Sequence, residues 1–247
     1  MVDNRYATAL VIGSVLSLLA TVYLSVAVGT QNWFQYSTPP IKQCVNTTVI
    51  KNEFLTGEFE EKTYSSYLFK WNGTLGLWWR CIQVPPCTHW YCCQQEPKTE
   101  TLCVSFTLPQ QLSAKVKQNE SEEDLLRTYL WRCQFLLPLV SLSLVFLSGL
   151  VGVCACLCRS FTPTLVVGLF HFIAGLCSLG AVCCFRSSVY LLNDKYKKQR
   201  DVVGSVGWSL YLALISFPLQ MMAAALFLWA ARSHRKHYTR ITAYRVA

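Results

Sequence analysis

The chain has 247 residues, of which 53% are hydrophobic and 14% charged, well below the roughly one quarter charged in an ordinary soluble domain. That balance excludes a conventional water-soluble enzyme and places the chain in a bilayer. Its net charge of +9, from 22 basic and 13 acidic side chains, points away from nucleic acid as well, because the basic excess is strung beside the apolar stretches rather than gathered on one polar face.

Crossing about 30 Å of hydrocarbon takes about 20 apolar residues in a helix. The first stretch that qualifies is residues 7–28. Ser25-Val26-Ala27 within it resembles a small-x-small cleavage site, but the run exceeds the roughly 7–15 residues of a signal-peptide core. Its leader, with Asp3 and Arg5, is not strongly positive, so the stretch reads as a retained span.

A long loop follows, residues 29–134. It is too long for a simple connector, and its acidic and basic residues are scattered as on a solvated surface. Alternating or aromatic-rich runs at residues 32–36, 64–71, 74–84 and 102–108 predict strands. Leu108, Leu112 and Val116 share a helical face, and a second helix entered near Ser121, with Glu122, Glu123 and Asp124 in its first turn, leads into the next span. The expected product is a small antiparallel β-sheet resting on a helical bundle.

Three N-x-Ser/Thr sequons, at Asn46, Asn72 and Asn119, all fall in this loop. As N-glycosylation sites they place it outside the cell and both termini in the cytoplasm. Cys44, Cys81, Cys87, Cys92, Cys93 and Cys103 also lie in the loop, where an oxidising compartment lets disulfides persist. A sheet this small needs such a staple, and six cysteines allow fifteen pairings. Cys81 and Cys103 each sit inside a predicted strand, which suits a bridge between neighbouring strands, with Cys92 competing for Cys81. Lone His89 gives no metal-ligand spacing, so neither a metal nor a cofactor is expected.

The second span is residues 135–158, ending in Cys154, Cys156 and Cys158, which are candidates for palmitoylation beside the cytoplasmic leaflet. The third is residues 164–185, whose His171 more often satisfies a neighbour by hydrogen bonding than relays protons. A second extracellular loop, residues 186–205, carries a basic set that runs against the positive-inside bias. The fourth span is residues 206–231, and a cytoplasmic tail, residues 232–247, follows. None of the four spans contains Asp, Glu, Lys or Arg. The tail's Arg232, Arg235, Lys236, Arg240 and Arg245 would each gain roughly 1 kcal/mol beside an anionic leaflet, making acidic lipid headgroups its natural partners. Gly13/Ser17, Ser148/Gly152 and Ala174/Ser178 permit close helix packing, in the chain's own bundle or against a partner.

One pattern goes further than composition. Trp33 followed, after an insertion, by Gly76-Leu77-Trp78-Trp79-Arg80-Cys81, in the loop of a four-span protein, resembles the claudin superfamily, with its Trp…Gly-Leu-Trp-x-x-Cys…Cys signature. That superfamily includes peripheral myelin protein, epithelial membrane proteins and glutamate-receptor auxiliary subunits. Asp3-Asn4-Arg5, the run Leu125-Leu126-Arg127-Thr128-Tyr129-Leu130-Trp131-Arg132-Cys133-Gln134, and the ending Ala243-Tyr244-Arg245-Val246-Ala247 are similar to its claudin domain-containing branch. The resemblance implies a single claudin-like tetraspan domain over residues 1–247, with Trp33 and Trp78 as interfacial anchors. In typical claudins the second motif cysteine follows the first at a spacing that Cys92 fits. In the closer branch it precedes a Val-Ser-Phe strand, as Cys103 does, which favours Cys81–Cys103. The ending lacks the Tyr-Val of PDZ-binding claudins.

Enzyme chemistry and transport are both poorly served: the spans carry no charge and no polar helix face or inverted repeat is apparent. What the resemblance implies is a plasma-membrane protein at cell–cell contacts or junctions. It would act in adhesion or barrier modulation by associating with itself or related proteins in cis or trans. The alternatives are an auxiliary subunit of a channel or receptor, and a trafficking or membrane-organising tetraspan like peripheral myelin protein.

Overall fold

In the computed structural model, residues 4–38, 47–56, 61–84, 99–106, 122–158, 161–197 and 202–246 are described. Among them are six helices: α1 (Asn4–Gly29), α2 (Thr47–Thr56), α3 (Glu61–Lys70), α4 (Glu122–Cys158), α5 (Phe161–Lys197) and α6 (Trp208–Val246). Five strands accompany them: β1 (Phe34–Ser37), β2 (Asn72–Leu75), β3 (Trp79–Val84), β4 (Glu100–Ser105) and β5 (Val203–Val206). Four helices are long and apolar enough to cross a membrane, over Tyr6–Gly29, Leu125–Cys154, Thr162–Asp194 and Trp208–Ser233. This is a multi-pass membrane protein with four spans and a small antiparallel sheet.

The chain divides into two compact units. The helical unit comprises Met1–Val26, Leu136–Cys183 and Leu212–Ala247. Its interior is built from small residues, with Ala20, Ala174, Ala223 and Ala230 wholly buried, as expected where lipid supplies no hydrophobic drive and helices associate by close packing. The small-residue pairs all turn inward. Ser17 and Ser148 reach His171, the Ala174 carbonyl accepts from Ser141, and Gly152 lies beside Val167.

The bundle interior also carries a polar face that the isolated sequence does not reveal. Ser141, Ser178 and Gln220 from three helices form one hydrogen-bonded layer, and Ser17, Ser148 and His171 another. Hydroxyls recur along these apolar runs, as at Ser141, Ser143 and Ser148 of α4, and only packing shows which of them meet.

The second unit, Ala27–Phe135 with Cys184–Tyr211, holds an antiparallel sheet in the order β4-β3-β2-β1-β5. Strand β1 pairs β2 on one side and β5 on the other, Phe34 facing Leu75 and Val206. Phe34 and Tyr36 point into the core while Gln35 and Ser37 face out, the alternation a half-buried strand demands. Tyr36 stacks on Phe34 and Phe69, and its hydroxyl donates to Asn193 Oδ1 at 3.0 Å.

Several expectations change here. The aromatic run at residues 64–71 is helix α3 as far as Lys70, with Leu68 and Phe69 buried on it and Trp71 buried just past its end. Leu68 packs where a side chain at Gly73 would stand, its Cδ2 at 2.8 Å from an added Cβ. The single strand expected at residues 74–84 is two strands with a turn between them. The second loop placed at 186–205 is helical to Lys197 and ends in β5, and helix α6 continues through the segment read as a tail. Apolarity marks where hydrocarbon ends, whereas helical hydrogen bonding runs on until something breaks it. The helix expected from Leu108 to Val116 lies outside the described residues.

Candidate functional site

The four orphan carbonyls at the end of helix α1 need partners, and Trp33 supplies one. Its indole Nε1–H donates to the Ala27 carbonyl at 2.7 Å, which also accepts from the Thr30 hydroxyl at 3.2 Å. Trp33 is wholly buried and packs on Phe185, ring centroids 5.0 Å apart. It is therefore not an interfacial anchor reaching for headgroups. A large ring with one polar atom fits a core position when that atom finds an acceptor.

Gly76, Leu77 and Trp78 make the turn between β2 and β3. Gly76 N–H donates to the Trp79 carbonyl at 2.9 Å, closing the hairpin. A Cβ at Gly76 would lie 2.8 Å from Gln31 Cα, so only glycine lets the two backbones approach this closely. Leu77 is wholly buried, and half-buried Trp78 meets Phe135 edge-on at 4.3 Å between centroids. The Phe106 N–H donates to the Trp78 carbonyl at 2.8 Å, tying the turn to the end of β4.

Arg80 is the residue that sequence reading missed, treating it as a spacer in the motif. It is 1% exposed. Its Nη1 donates to the Gly76 carbonyl at 2.6 Å and the Trp79 carbonyl at 3.1 Å, and its guanidinium lies 5.2 Å from the Phe106 ring centroid. A buried charge persists only when hydrogen-bonded, so Arg80 acts as the internal brace of the turn. The available signal was a lone cation inside an aromatic-rich strand.

Cys81 and Cys103 face each other in the β3–β4 register and are disulfide-bonded, with their Cα atoms 4.1 Å apart. Directly opposed residues in a non-hydrogen-bonded antiparallel pair approach to about 4.5 Å, which suits a cross-strand bridge. The Gln31 side-chain amide closes over it, 3.0 Å from Cys81 Sγ. Cys44, Cys87, Cys92, Cys93, Asn46 and Asn119 lie outside the described residues. Asn72 is half-buried in β2, and its Oδ1 accepts from Thr38 N–H and Oγ–H at 2.6 and 2.9 Å, bonds that do not use the amide nitrogen. Cys154 is exposed with a free thiol, and Cys156 and Cys158 fall in the last turn of α4.

Trp33, the Gly76-Leu77-Trp78 turn, Arg80 and the disulfide thus converge on one end of one sheet, bonded mainly through backbone carbonyls. Among the described residues no three His, Cys, Asp or Glu side chains group as metal ligands do. The arrangement holds a surface in shape and offers no nucleophile–base pair. A family model described as PMP-22/EMP/MP20/Claudin tight junction matches residues 18–229, a stretch that contains this sheet and reaches into all four spans.

Proposed function

The chain belongs to the PMP-22/EMP/MP20/claudin family, and from that premise we propose that it is a non-enzymatic plasma-membrane protein of cell–cell contacts. It has both termini in the cytoplasm and its sheet unit outside. The sheet unit acts as a rigid platform that associates with copies of itself or with related proteins, in adhesion or barrier modulation. The observation that carries this reading is the stapled sheet: a unit braced by Arg80 and bridged by Cys81–Cys103 keeps its outer surface in one shape, as recognition requires.

Subsidiary parts of the proposal follow from chemistry already described. Asn72 carries a glycan on its free amide nitrogen, as do Asn46 and Asn119 in their sequons. Cys154, Cys156 and Cys158 are acylated beside the inner leaflet, and the basic end of the chain lies against anionic headgroups.

The test is localisation of a tagged copy in a mixed culture of expressing and non-expressing cells. Enrichment only where two expressing cells meet is the expected result. A uniform surface or intracellular distribution would overturn the contact role and favour an auxiliary or trafficking one.

A further inference from the structure

Within the helical unit, Ser17 Oγ of α1 lies 2.6 Å from His171 Nε2 of α5, and the ring of Phe227 from α6 is seated over Gly13, one turn away. We infer that this notch, Gly13 and Ser17 receiving Phe227 and His171, is the contact that docks the first helix in register with the other three.

Connectivity makes such a contact necessary. Helices α4 and α5 are separated only by residues 159–160, so their register is set covalently. Helix α1 has no such short link: it is joined to α4 through residues 30–121, which include strands β1 to β4, so its register at Gly13 and Ser17 depends on packing within the bundle. Nor does the bilayer supply a hydrophobic force between helices, leaving packing and hydrogen bonds to decide.

The hydroxyls of α1 divide accordingly. Ser14 Oγ donates to its own helix at the Leu10 carbonyl, 2.8 Å away, and Thr21 Oγ1 to the Ser17 carbonyl at 2.7 Å. The Ser17 hydroxyl leaves the helix for His171. At Gly13 a Cβ would stand 3.2 Å from Phe227 Cζ, so the ring rests directly on the α1 backbone. The same ring stacks on His171 at 5.2 Å, making one continuous seat.

The bonding around His171 gives the contact a direction. Its Nδ1 lies 2.9 Å from the Val167 carbonyl, which can only accept, so Nδ1 carries the proton, shared with Ser148 Oγ at 3.0 Å. Nε2 of the neutral ring is then the acceptor for Ser17. A replacement must therefore offer an acceptor at the Nε2 position. Glutamine reaches that position and asparagine reaches only Nδ1.

The test is a double-variant cycle on the full-length protein in detergent, reading the thermal midpoint by intrinsic tryptophan fluorescence. Ser17→Ala and His171→Asn should both lower the midpoint, His171→Asn by more because it also takes the ring away from Phe227, and the double variant should fall no further than His171→Asn alone. His171→Gln should restore part of the loss. Additive losses, or a Ser17→Ala midpoint equal to that of the parent, would overturn the assignment.

A second readout separates undocking from general misfolding. Ala20 is wholly buried in α1, so Ala20→Cys should resist N-ethylmaleimide in the parent and react when His171→Asn is added, as read on the peptide that carries it, because Cys133, Cys154 and Cys183 are exposed free thiols in both. The Cys81–Cys103 bridge should remain intact in both. Equal protection of that cysteine in the two backgrounds would also overturn the proposal.

Discussion

The indole of Trp33 caps helix α1 by donating to Ala27 O across 2.7 Å while its ring packs on Phe185. The two roles separate by substitution. Trp33→Phe keeps the ring contact and removes the donor, and since Thr30 still serves the Ala27 carbonyl, the expected loss is about 1 kcal/mol. Trp33→Ala opens a cavity as well and should cost about 3–5 kcal/mol. Thermal midpoints in detergent should rank parent, Phe and Ala in that order, and equal midpoints for Phe and Ala would show that the ring contact contributes nothing.

Loss of the Cys81–Cys103 bridge should cost the sheet unit about 2–5 kcal/mol. Cys81→Ser, Cys103→Ser and the double variant should then behave alike, all retained before the cell surface with immature glycans. Trp78→Ala, which removes the edge contact with Phe135, should share the phenotype in milder form. Surface biotinylation and endoglycosidase sensitivity measure it, and mature glycans on Cys81→Ser would refute the claim.

Arg80 predicts an unequal pair of conservative changes. Lysine keeps the charge but lacks the flat, longer guanidinium that carries Nη1 to the Gly76 and Trp79 carbonyls beside the Phe106 ring. Arg80→Lys should therefore lose about 1.5–3 kcal/mol, the worth of hydrogen bonds to a charged group. The companion change Lys51→Arg, on a side chain bonded to Glu100 at the surface, should be silent. Comparing the two midpoints tests whether the guanidinium's shape matters or the charge alone suffices.

The Lys51–Glu100 ion pair, 2.8 Å long with side chains 41% and 52% exposed, should contribute little. Exposed pairs are worth at most about 1 kcal/mol and are screened by salt. Glu100→Gln should leave surface level and midpoint nearly unchanged at physiological ionic strength. A loss comparable to that of Arg80→Lys would mean that edge strand β4 depends on this tether.

The four spans were legible in the sequence because crossing a bilayer demands a long uncharged run, and a run is a property of consecutive residues. The signature residues were legible as a motif, but not the turn they make: residues 74–84 read as one strand, and Gly76-Leu77-Trp78 break it in two. Nor was strand β5 legible. Four residues, Val203 to Val206, form a strand only because β1, far away in the chain, lies beside them. Helix α3 was misread for a related reason: an aromatic-rich run suits either state, and burial of Leu68 decided between them.

By itself, then, the sequence determined the membrane class, the number of spans and the position of the signature residues, each carried by neighbouring residues. The tertiary structure alone decided that Trp33 is a buried cap, that Arg80 braces the turn from inside, and that Ser17, Ser148 and His171 form one cluster. The physical reason is that a polar atom's role depends on the partner that satisfies it. Those partners lie on other elements, so their identity is set by packing and not by position along the chain.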